Sequence, residues 1–340
     1  MADGTRTRDH RDHNPGLYQL SYRHRAREHN SPDVRVLASL RFPGPAWDEL
    51  DEVEYPDGPL AGADGAGVEA LAVVGELVDD AVLDRFPDLR LVANYGVGYD
   101  SIDVAACSAR GVTVTNTPGV LDAATADLAL ALVLAARRRL IEGDMYVRSG
   151  RWGSGWAEAE LVGDEVSGAT LGIVGLGRIG SAVARRAAGF EMRVLYTRRH
   201  RLDAETEQRL GLEFFELDDL IAESEVVTVH VPLTLETRGL IDRRRLALLP
   251  GGATFVNTAR GAIVDEDALV AELVSGRIRA GLDVFAHEPR VPPELLELPN
   301  VVLTPHLGSA TTPTREAMTR VLVDSILAFA AGRTPPNVVN

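Results

Sequence analysis

Short apolar segments alternate with longer helical patterns along most of the chain. Three segments with the composition of buried strands lie in the first part of the chain, at residues 34–38, 71–75 and 89–94. Six more follow towards the C-terminus, at residues 171–174, 193–196, 226–231, 253–257, 278–282 and 301–303. Strands that alternate with helices are typical of parallel sheets covered by helices on both faces. The pattern therefore predicts an α/β fold with two Rossmann-like domains, each built on a doubly wound parallel sheet.

Two longer patterns predict how these domains are connected. Residues Ala123 to Ile141 are rich in Ala and Leu and apolar almost all round, so we expect a helix buried between domains or at a subunit interface. Residues Pro313 to Ala331 form an amphipathic pattern that we expect to pack back on the first domain. The smaller domain is therefore expected to be discontinuous, with residues 33–120 and 312–340 on either side of a larger domain at 121–311.

The first 32 residues differ from the rest of the chain. They contain six Arg and four His mixed with Asp, Asn and Ser, and few apolar residues. The histidines are irregularly spaced, so we expect a disordered polar extension here and no metal site in the protein. These histidines are His10, His13, His24 and His29.

Composition places the chain among globular proteins. Of 340 residues, 45% are hydrophobic and 25% are charged, which suits two domains. There is no run of about 18 apolar residues and no apolar leader, so we expect a cytoplasmic protein that does not enter a membrane. Cys107, the single cysteine, excludes an intrachain disulfide and is interpreted as a small buried residue.

Charge narrows the possible functions further. The net charge of −15 argues against non-specific binding to nucleic acid, so we expect no nucleic-acid partner. The sequence contains no lysine, so all 35 basic residues are arginine. Mechanisms that need a Schiff-base lysine or a P-loop lysine are therefore excluded.

A glycine turn between a predicted strand and a predicted helix is the most informative segment. Residues 170–174 are apolar, residues 175–180 have the sequence Gly-Leu-Gly-Arg-Ile-Gly, and a helical pattern follows. In a dinucleotide-binding turn, Gly175 permits the tight bend, Gly177 lets a pyrophosphate approach the backbone, and Gly180 lets the helix pack close to the strand. The helix N-terminus then offers unpaired N–H groups to the anion. The cofactor contacts predicted here are Gly175, Gly177, Arg178, Ile179 and Gly180.

The turn after the next strand predicts which dinucleotide binds. An NAD site carries an Asp or Glu about 20 residues beyond the glycines, where it holds the ribose 2′-hydroxyl. Here the turn is Thr197-Arg198-Arg199-His200, and no carboxylate occurs before Asp203. Guanidinium groups suit a 2′-phosphate, so Arg198 and Arg199 predict NADP(H) in preference to NAD(H). A solvent-exposed basic turn is the alternative interpretation.

Four polar residues follow the last three predicted strands. They are Arg260, Asp283, Glu288 and His306. Because the carboxyl ends of parallel strands meet at one edge of a sheet, we expect these side chains near a single cleft. Singly, each could be an ion-pair or turn residue, but jointly, on a dinucleotide-binding sheet, they favour catalysis.

This set of groups suits reduction of a 2-oxo acid by hydride from a cofactor. Arg260 can bind the substrate carboxylate and polarise the carbonyl, while His306 can give a proton to the carbonyl oxygen. Glu288 would favour the charged form of His306, and Asp283 could fix the nicotinamide carboxamide. His230 is interpreted as structural or cofactor-lining and not as the proton donor.

At these residues the chain resembles the D-isomer-specific 2-hydroxyacid dehydrogenases, and among them the glyoxylate/hydroxypyruvate reductases. The resemblance covers roughly Val34 to Pro336. Many matches in one order are far more specific than a single motif. Besides the glycine turn, the matching segments are 94–100, 116–121, 124–128, 230–234, 257–261, 283–288 and 305–311.

The resemblance implies roles for individual residues. The catalytic set would be Arg260, Glu288 and His306. The substrate carboxylate would bind Arg260 and the backbone amides of Val97 and Gly98. The nicotinamide amide would bind Asp283, and further cofactor contacts would be Thr125, His230, Pro232 and Thr258.

The resemblance also implies an assembly and a range of activities. We expect a homodimer built on the long helix near residues 123–141, with Trp152 or Trp156 reaching the neighbouring active site. The leading hypothesis is an NADPH-preferring reductase of glyoxylate or hydroxypyruvate to D-2-hydroxy acids. A dehydrogenase of another D-2-hydroxy acid, including a phosphoglycerate-like one, is an open alternative. Another is a nucleotide-sensing binding protein on the same fold, similar to the C-terminal-binding transcriptional corepressors.

Overall fold

The first of two parallel sheets lies in the N-terminal part of the described chain. The computed structural model describes residues 34–153 and 161–340. The first sheet contains β1 (Val36–Ala38), β2 (Val53–Glu54), β3 (Ala70–Val73), β4 (Leu91–Asn94) and β5 (Thr113–Thr115). Its order is β2-β1-β3-β4-β5, and every strand pair in it is parallel. Its short helices are α1 (Asp80–Leu83) and α2 (Val104–Ala109).

The second sheet is larger and follows two consecutive helices, α3 (Asp122–Arg137) and α4 (Leu140–Arg148). Its strands are β6 (Thr170–Val174), β7 (Arg193–Thr197), β8 (Leu212–Phe214), β9 (Val226–Val229), β10 (Thr254–Asn257), β11 (Arg279–Leu282) and β12 (Val301–Leu303). The connecting and terminal helices are α5 (Arg178–Ala187), α6 (Ala204–Leu210), α7 (Leu217–Glu223), α8 (Arg243–Leu246), α9 (Glu266–Val274) and α10 (Thr312–Ala330). All strand pairs are again parallel, in the order β12-β11-β10-β9-β6-β7-β8.

Helices cover both faces of the second sheet. Leu130 of α3 and Val183 of α5 belong to the apolar core on one face. Leu220 of α7 and Leu269 of α9 belong to the core on the other face. A sheet buried on both faces needs strands that are apolar throughout, which is how these segments were recognised. The predicted α/β fold with two Rossmann-like sheets is confirmed.

Helix α10 packs on the first sheet although it follows the second sheet in the chain. Its Met318, Leu322 and Ile326 share an apolar core with strand β1. The hydroxyl of Tyr95, just after β4, donates to the carbonyl of Arg315 at 2.8 Å. The chain therefore returns to the first sheet after it has completed the second. The domain limits drawn from the sequence stay a prediction.

The helix predicted from Ala123 to Ile141 is wrong at its C-terminal end. Helix α3 ends at Arg137, Arg139 adopts a left-handed conformation with a φ of 52°, and α4 starts at Leu140. The N–H of Asp164 donates to the carbonyl of Arg137 at 2.9 Å, so a neighbouring loop satisfies an acceptor at the helix end. The helix packs on α5 and β11 of the second sheet, and the expectation that it is buried between domains or at a subunit interface stays a prediction.

Three findings bear on the expectations drawn from composition. Within residues 34–153 and 161–340, no helix combines the length and apolar character needed to span a membrane. No group of three or more His, Cys, Asp or Glu side chains in the same ranges is arranged to hold a metal ion. Cys107 is buried in the core of the first sheet, and this burial raises the pKa of its thiol to about 11.

Candidate active site

The glycine turn lies where the strand order of the second sheet changes direction. Strand β6 pairs with β9 on one side and β7 on the other. Gly175 has a φ of 100°, its N–H donates to the carbonyl of Thr197 at 3.0 Å, and a side chain there would collide with the His230 backbone. A side chain at Gly180 would strike the carbonyl of Gly175. Gly177 caps α5 and faces open space, so the helix N-terminus is accessible to an anion.

The other two predicted contacts of the turn have different surroundings. Arg178 is exposed. Burial raises the pKa of Asp122 at the start of α3, and the positive charge of Arg178 acts against that rise. Ile179 packs against the core of the first sheet. The turn therefore contacts the first sheet as well as its own.

Strand β7 ends in the basic turn that is predicted to select the cofactor. Arg198 and Arg199 are exposed, and neither forms a hydrogen bond or ion pair with the part of the chain that is described. The pKa of Glu236 is lowered, mainly by a hydrogen bond from Thr234 and more weakly by the charge of Arg199. Both guanidinium groups are therefore available to an anionic ligand.

Three predicted cofactor contacts follow strands β9 and β10. The Nε2 atom of His230 lies 2.9 Å from Oγ1 of Thr228, and burial lowers the pKa of His230 to about 4, so its ring is neutral at neutral pH. The carbonyl of Pro232 accepts a hydrogen bond from the Thr237 hydroxyl at 2.6 Å. The hydroxyl of Thr258 is buried and has no hydrogen-bond partner among the described residues. Such a group is available to a polar ligand.

The carboxylate of Asp283, just after β11, organises the loop that follows β12. Its Oδ1 accepts from the Thr304 hydroxyl at 2.6 Å and the Leu307 N–H at 2.7 Å, and its Oδ2 accepts from the Gly308 N–H at 2.9 Å. The Gly308 carbonyl accepts from the Thr125 hydroxyl on α3 at 3.1 Å. Burial raises the pKa of Asp283, and these hydrogen bonds act against the rise. The loop is therefore fixed to the neighbouring strand and to α3.

This loop presents His306 in a left-handed backbone conformation. Its φ is 54°, and its N–H donates to the Asp283 carbonyl at 2.9 Å. The Nδ1 atom lies 2.8 Å from Oε2 of Glu288, whose Oε1 accepts from the Phe285 N–H at 3.1 Å. Burial acts to raise the pKa of Glu288, but His306 and, more weakly, the Phe285 N–H and Arg260 outweigh it, and the pKa is lowered. Because Nδ1 is engaged, Nε2 is the ring nitrogen open to a ligand.

Arg260, just beyond β10, is held by a residue of the loop that follows β4 of the first sheet. Its Nε donates to Oδ1 of Asp100 at 2.9 Å, and its Nη1 donates to the Ala259 carbonyl at 2.7 Å. The Asn257 side chain donates to the Arg260 carbonyl at 2.9 Å. The guanidinium packs so closely on Gly98 that any side chain there would strike it. The arginine is therefore fixed at both its backbone and its head group.

The loop after β4 offers backbone donors beside this arginine. The N–H groups of Val97 and Gly98 meet no acceptor in the described part of the chain. Their carbonyls accept from Asn116 at 2.9 Å and from Asn94 at 3.0 Å, and Asn94 also donates to Gly96 at 3.1 Å. With the carbonyls held in this way, the two N–H groups are free to bind an anion.

Comparisons with known proteins identify the family. The family model described as D-isomer specific 2-hydroxyacid dehydrogenase, NAD binding domain, matches residues 130–308. The glyoxylate reductase of Thermococcus litoralis is 48% identical over 278 residues, which cover 80% of this chain and 84% of that protein. The chain belongs to the D-isomer-specific 2-hydroxyacid dehydrogenases. It is therefore an NAD(P)-dependent oxidoreductase, and the resemblance found in the sequence is confirmed.

Solved structures similar to this dehydrogenase contain both dinucleotides. The NADPH-dependent glyoxylate/hydroxypyruvate reductase of Sinorhizobium meliloti, solved with NADP and malonate, gives a TM-score of 0.81 at 36% identity, covering 90% of this chain and 96% of that one. The D-lactate dehydrogenase of Aquifex aeolicus, solved with NAD and lactic acid, gives 0.80 at 28% identity, covering 89% and 98%. The family therefore establishes a nicotinamide dinucleotide without deciding between NADP and NAD.

Sequence reasoning assigned no role to several residues that shape the site of this dehydrogenase. Asp100 holds Arg260, while Asn94 and Asn116 orient the loop at Val97 and Gly98. Asn and Asp near strand ends commonly bond to nearby backbone, so their positions were a usable signal. Only the folded chain could identify their partners, because Asp100 and Arg260 are separated by 160 positions.

Replacing Gly98 with Ala should disable the dehydrogenase without unfolding it. The new methyl group would displace the Arg260 guanidinium, and a misplacement of about 1 Å can cost about 10²-fold in rate. We expect kcat/KM for the 2-oxo acid to fall by that order, while dinucleotide binding, measured by fluorescence titration, stays unchanged.

Gly96→Ala is the matched control for this variant. A side chain at Gly96 would meet its neighbours at ordinary distances of 3.6 Å, so this variant should keep its activity. Equal losses in the two variants would contradict the explanation based on Arg260.

Proposed function

We propose that this dehydrogenase uses NADPH to reduce small 2-oxo acids, glyoxylate and hydroxypyruvate among them, to D-2-hydroxy acids. The observation that carries the proposal is the convergence of Arg260, the His306–Glu288 pair and the free amides of Val97 and Gly98. A carboxylate beside a carbonyl complements this set of groups. The identity with the T. litoralis glyoxylate reductase supports a small substrate.

Substrate binding would use both sheets. The N–H groups of Val97 and Gly98 would hold the carboxylate, and Arg260 would bind the carboxylate and the carbonyl oxygen. Arg260 uses Nε and Nη1 for contacts within the protein, which leaves Nη2 with its hydrogens for the substrate. Reduction places negative charge on the carbonyl oxygen, and the guanidinium would stabilise that charge.

Proton transfer would come from His306. The reduced nicotinamide supplies the hydride when it is bound. His306 would donate the proton on Nε2 to the carbonyl oxygen, which becomes the hydroxyl of the product. Glu288, 2.8 Å from Nδ1, would orient the ring and leave Nε2 for the transfer.

The residues that surround the glycine turn fit a dinucleotide. The accessible N-terminus of α5 suits the pyrophosphate, and the unpaired hydroxyl of Thr258 suits a polar group of the cofactor. Oδ2 of Asp283 accepts one hydrogen bond and keeps a second acceptor position for the nicotinamide amide. The remaining contacts in the proposal are Thr125, Gly175, Gly177, Arg178, Ile179, Gly180, His230 and Pro232.

The preference for NADPH rests on the basic turn after β7. Arg198 and Arg199 are exposed and unpaired among the described residues, which is the state that a 2′-phosphate site requires. No carboxylate stands between β7 and Asp203 to hold a free 2′-hydroxyl. The NADP-bound S. meliloti reductase, at 36% identity, supports this choice.

A homodimer through α4 completes the proposal. This helix exposes Leu140, Ile141, Met145 and Val147, each with 49% or more of its surface accessible. An apolar patch on one helix is typical of a protein interface. Trp152, also exposed, is positioned just after α4, whereas Trp156 lies outside the described residues.

Turnover of 2-oxo acids is the direct test of the proposed function. Purified protein should oxidise NADPH faster with glyoxylate and hydroxypyruvate than with pyruvate or phenylpyruvate, as followed by nicotinamide absorbance. In the same assay, His306→Ala should lower kcat by about 10²- to 10⁴-fold and leave dinucleotide affinity unchanged. His287→Ala, an exposed neighbour of Glu288, is the control and should stay active.

Two results would refute these assignments. Near-normal turnover by the His306→Ala variant would remove His306 as the proton donor. Tight dinucleotide binding without turnover of any 2-oxo acid would favour a nucleotide-sensing protein instead.

The double variant Arg198→Asp/Arg199→Ala should weaken NADPH selectively. Each lost charge-assisted hydrogen bond is worth about 1.5–3 kcal/mol, so the KM for NADPH should rise by about 10-fold or more. The KM for NADH should change little, which also shows that the variant is folded. An equal rise for both dinucleotides would contradict the assignment to the 2′-phosphate.

Light scattering after size-exclusion chromatography should give the mass of a dimer. Met145→Glu should shift the protein towards the monomer, because a charge cannot be buried unpaired in an apolar interface. Leu235→Glu is the control, since Leu235 is 92% exposed and lies outside the patch. A monomeric wild-type protein would contradict the assembly.

A further inference from the structure

An ion pair joins the segment between β7 and α6, which begins with the basic turn, to a buried carboxylate on α6. Arg201 donates from Nε and Nη2 to the two carboxylate oxygens of Glu207, at 2.8 and 2.7 Å. The hydroxyl of Tyr196 donates to Oε1 of the same carboxylate at 2.6 Å. Glu207 is 7% exposed and Tyr196 is fully buried. None of these three residues has a part in the proposed reaction.

The cluster fixes the course of the turn. The Leu202 N–H donates to the Tyr196 hydroxyl at 3.0 Å, and the Arg201 guanidinium lies over the ring of Phe214 at 5.2 Å. Asp203 caps α6 by accepting from the Thr206 N–H at 2.8 Å. The chain between β7 and α6 is therefore anchored at its C-terminal end, beside the exposed Arg198 and Arg199.

Glu207 places a negative charge on α6, next to this segment. The hydrogen bonds from Arg201 and then Tyr196 lower the pKa of Glu207 to about 2, so the carboxylate is ionised at neutral pH. An uncompensated carboxylate so close in sequence to Arg198 and Arg199 would repel an anion bound by these two arginines. The bidentate contact with Arg201 cancels that charge.

We propose that Arg201 determines cofactor selectivity indirectly, by neutralising Glu207 so that the charge of Arg198 and Arg199 is available to the 2′-phosphate of NADPH. Arg201 is thus a positioning residue, and the three arginines of the turn have two different tasks. This inference rests on the proposed preference for NADPH. The competing explanation is that Arg201 leaves Glu207 and contacts the phosphate itself.

Removing the charge of Arg201, first alone and then together with that of Glu207, separates indirect neutralisation from direct phosphate contact. The quantity to measure is the ratio of kcat/KM for NADPH to kcat/KM for NADH. Arg201→Gln removes the charge but can still hydrogen-bond to Glu207, and we expect the ratio to fall by about 5- to 20-fold. In the double variant Arg201→Gln/Glu207→Gln, both charges are gone, and the ratio should return to within about 2-fold of the wild type.

Two controls test whether the effect is local. Arg193 and Glu213 form a similar bidentate pair, at 2.9 and 2.7 Å, with Arg193 at the opposite end of β7 from the turn. Arg193→Gln and Arg193→Gln/Glu213→Gln should leave the ratio unchanged. Arg201→Lys keeps the charge without the fork, so it should keep the ratio close to that of the wild type. That variant also provides a test if Arg201→Gln does not fold.

The selectivity ratio distinguishes neutralisation of Glu207 from direct contact between Arg201 and the phosphate. A ratio that falls in Arg201→Gln and recovers in the double variant supports the proposal. A ratio that stays low in the double variant overturns it in favour of direct contact, and an unchanged ratio in Arg201→Gln overturns it as well. If the proposed preference for NADPH is itself wrong, Arg198→Asp/Arg199→Ala will leave the ratio unaltered. This result separates failure of the proposed function from failure of the role of Arg201.

Discussion

The buried carboxylate of Asp283 is the constraint on which the geometry of the catalytic edge depends. Three donors from one loop converge on it, and the carbonyl of the same residue accepts the N–H of His306. A buried carboxyl group must find its hydrogen bonds within the protein, so these three donors fix the way the loop closes. That closure places His306 in a left-handed conformation that a histidine rarely adopts unaided. The position of His306 thus follows from the hydrogen bonds of a buried neighbour, Asp283.

The second feature of the site is that its groups come from both sheets. The His306–Glu288 pair lies entirely on the second sheet, whereas Arg260 has its backbone there and its salt-bridge partner, Asp100, on the first. The absence of a side chain at Gly98 lets the guanidinium approach the loop that carries the free amides. A complete anion-binding set therefore exists only when the two sheets lie together.

Much of this arrangement could be predicted from the sequence because its signals are local. Apolar runs identified the strands whose two faces are buried, and the glycine turn is recognisable within six residues. Very short elements could not be predicted, and neither could features that depend on contacts between distant parts of the chain. Strand β2 has only two residues, too few for a pattern, and α3 ends at Arg137, where the N–H of the distant Asp164 donates to the Arg137 carbonyl. The sequence shows that Asp100 and Glu207 are acidic, but only the folded chain shows that they pair with Arg260 and Arg201.

The separation between the basic turn and the loop after β4 has a consequence for how such an enzyme can change. The groups that would recognise the cofactor 2′-phosphate lie beyond β7, whereas those that would recognise the substrate carboxylate lie after β4 of the first sheet and after β10 of the second. Mutations that act far apart and share no partners combine nearly additively. The two specificities can therefore drift or be selected one at a time. A lineage could exchange its electron donor while keeping its substrate, or the reverse, without passing through an inactive intermediate.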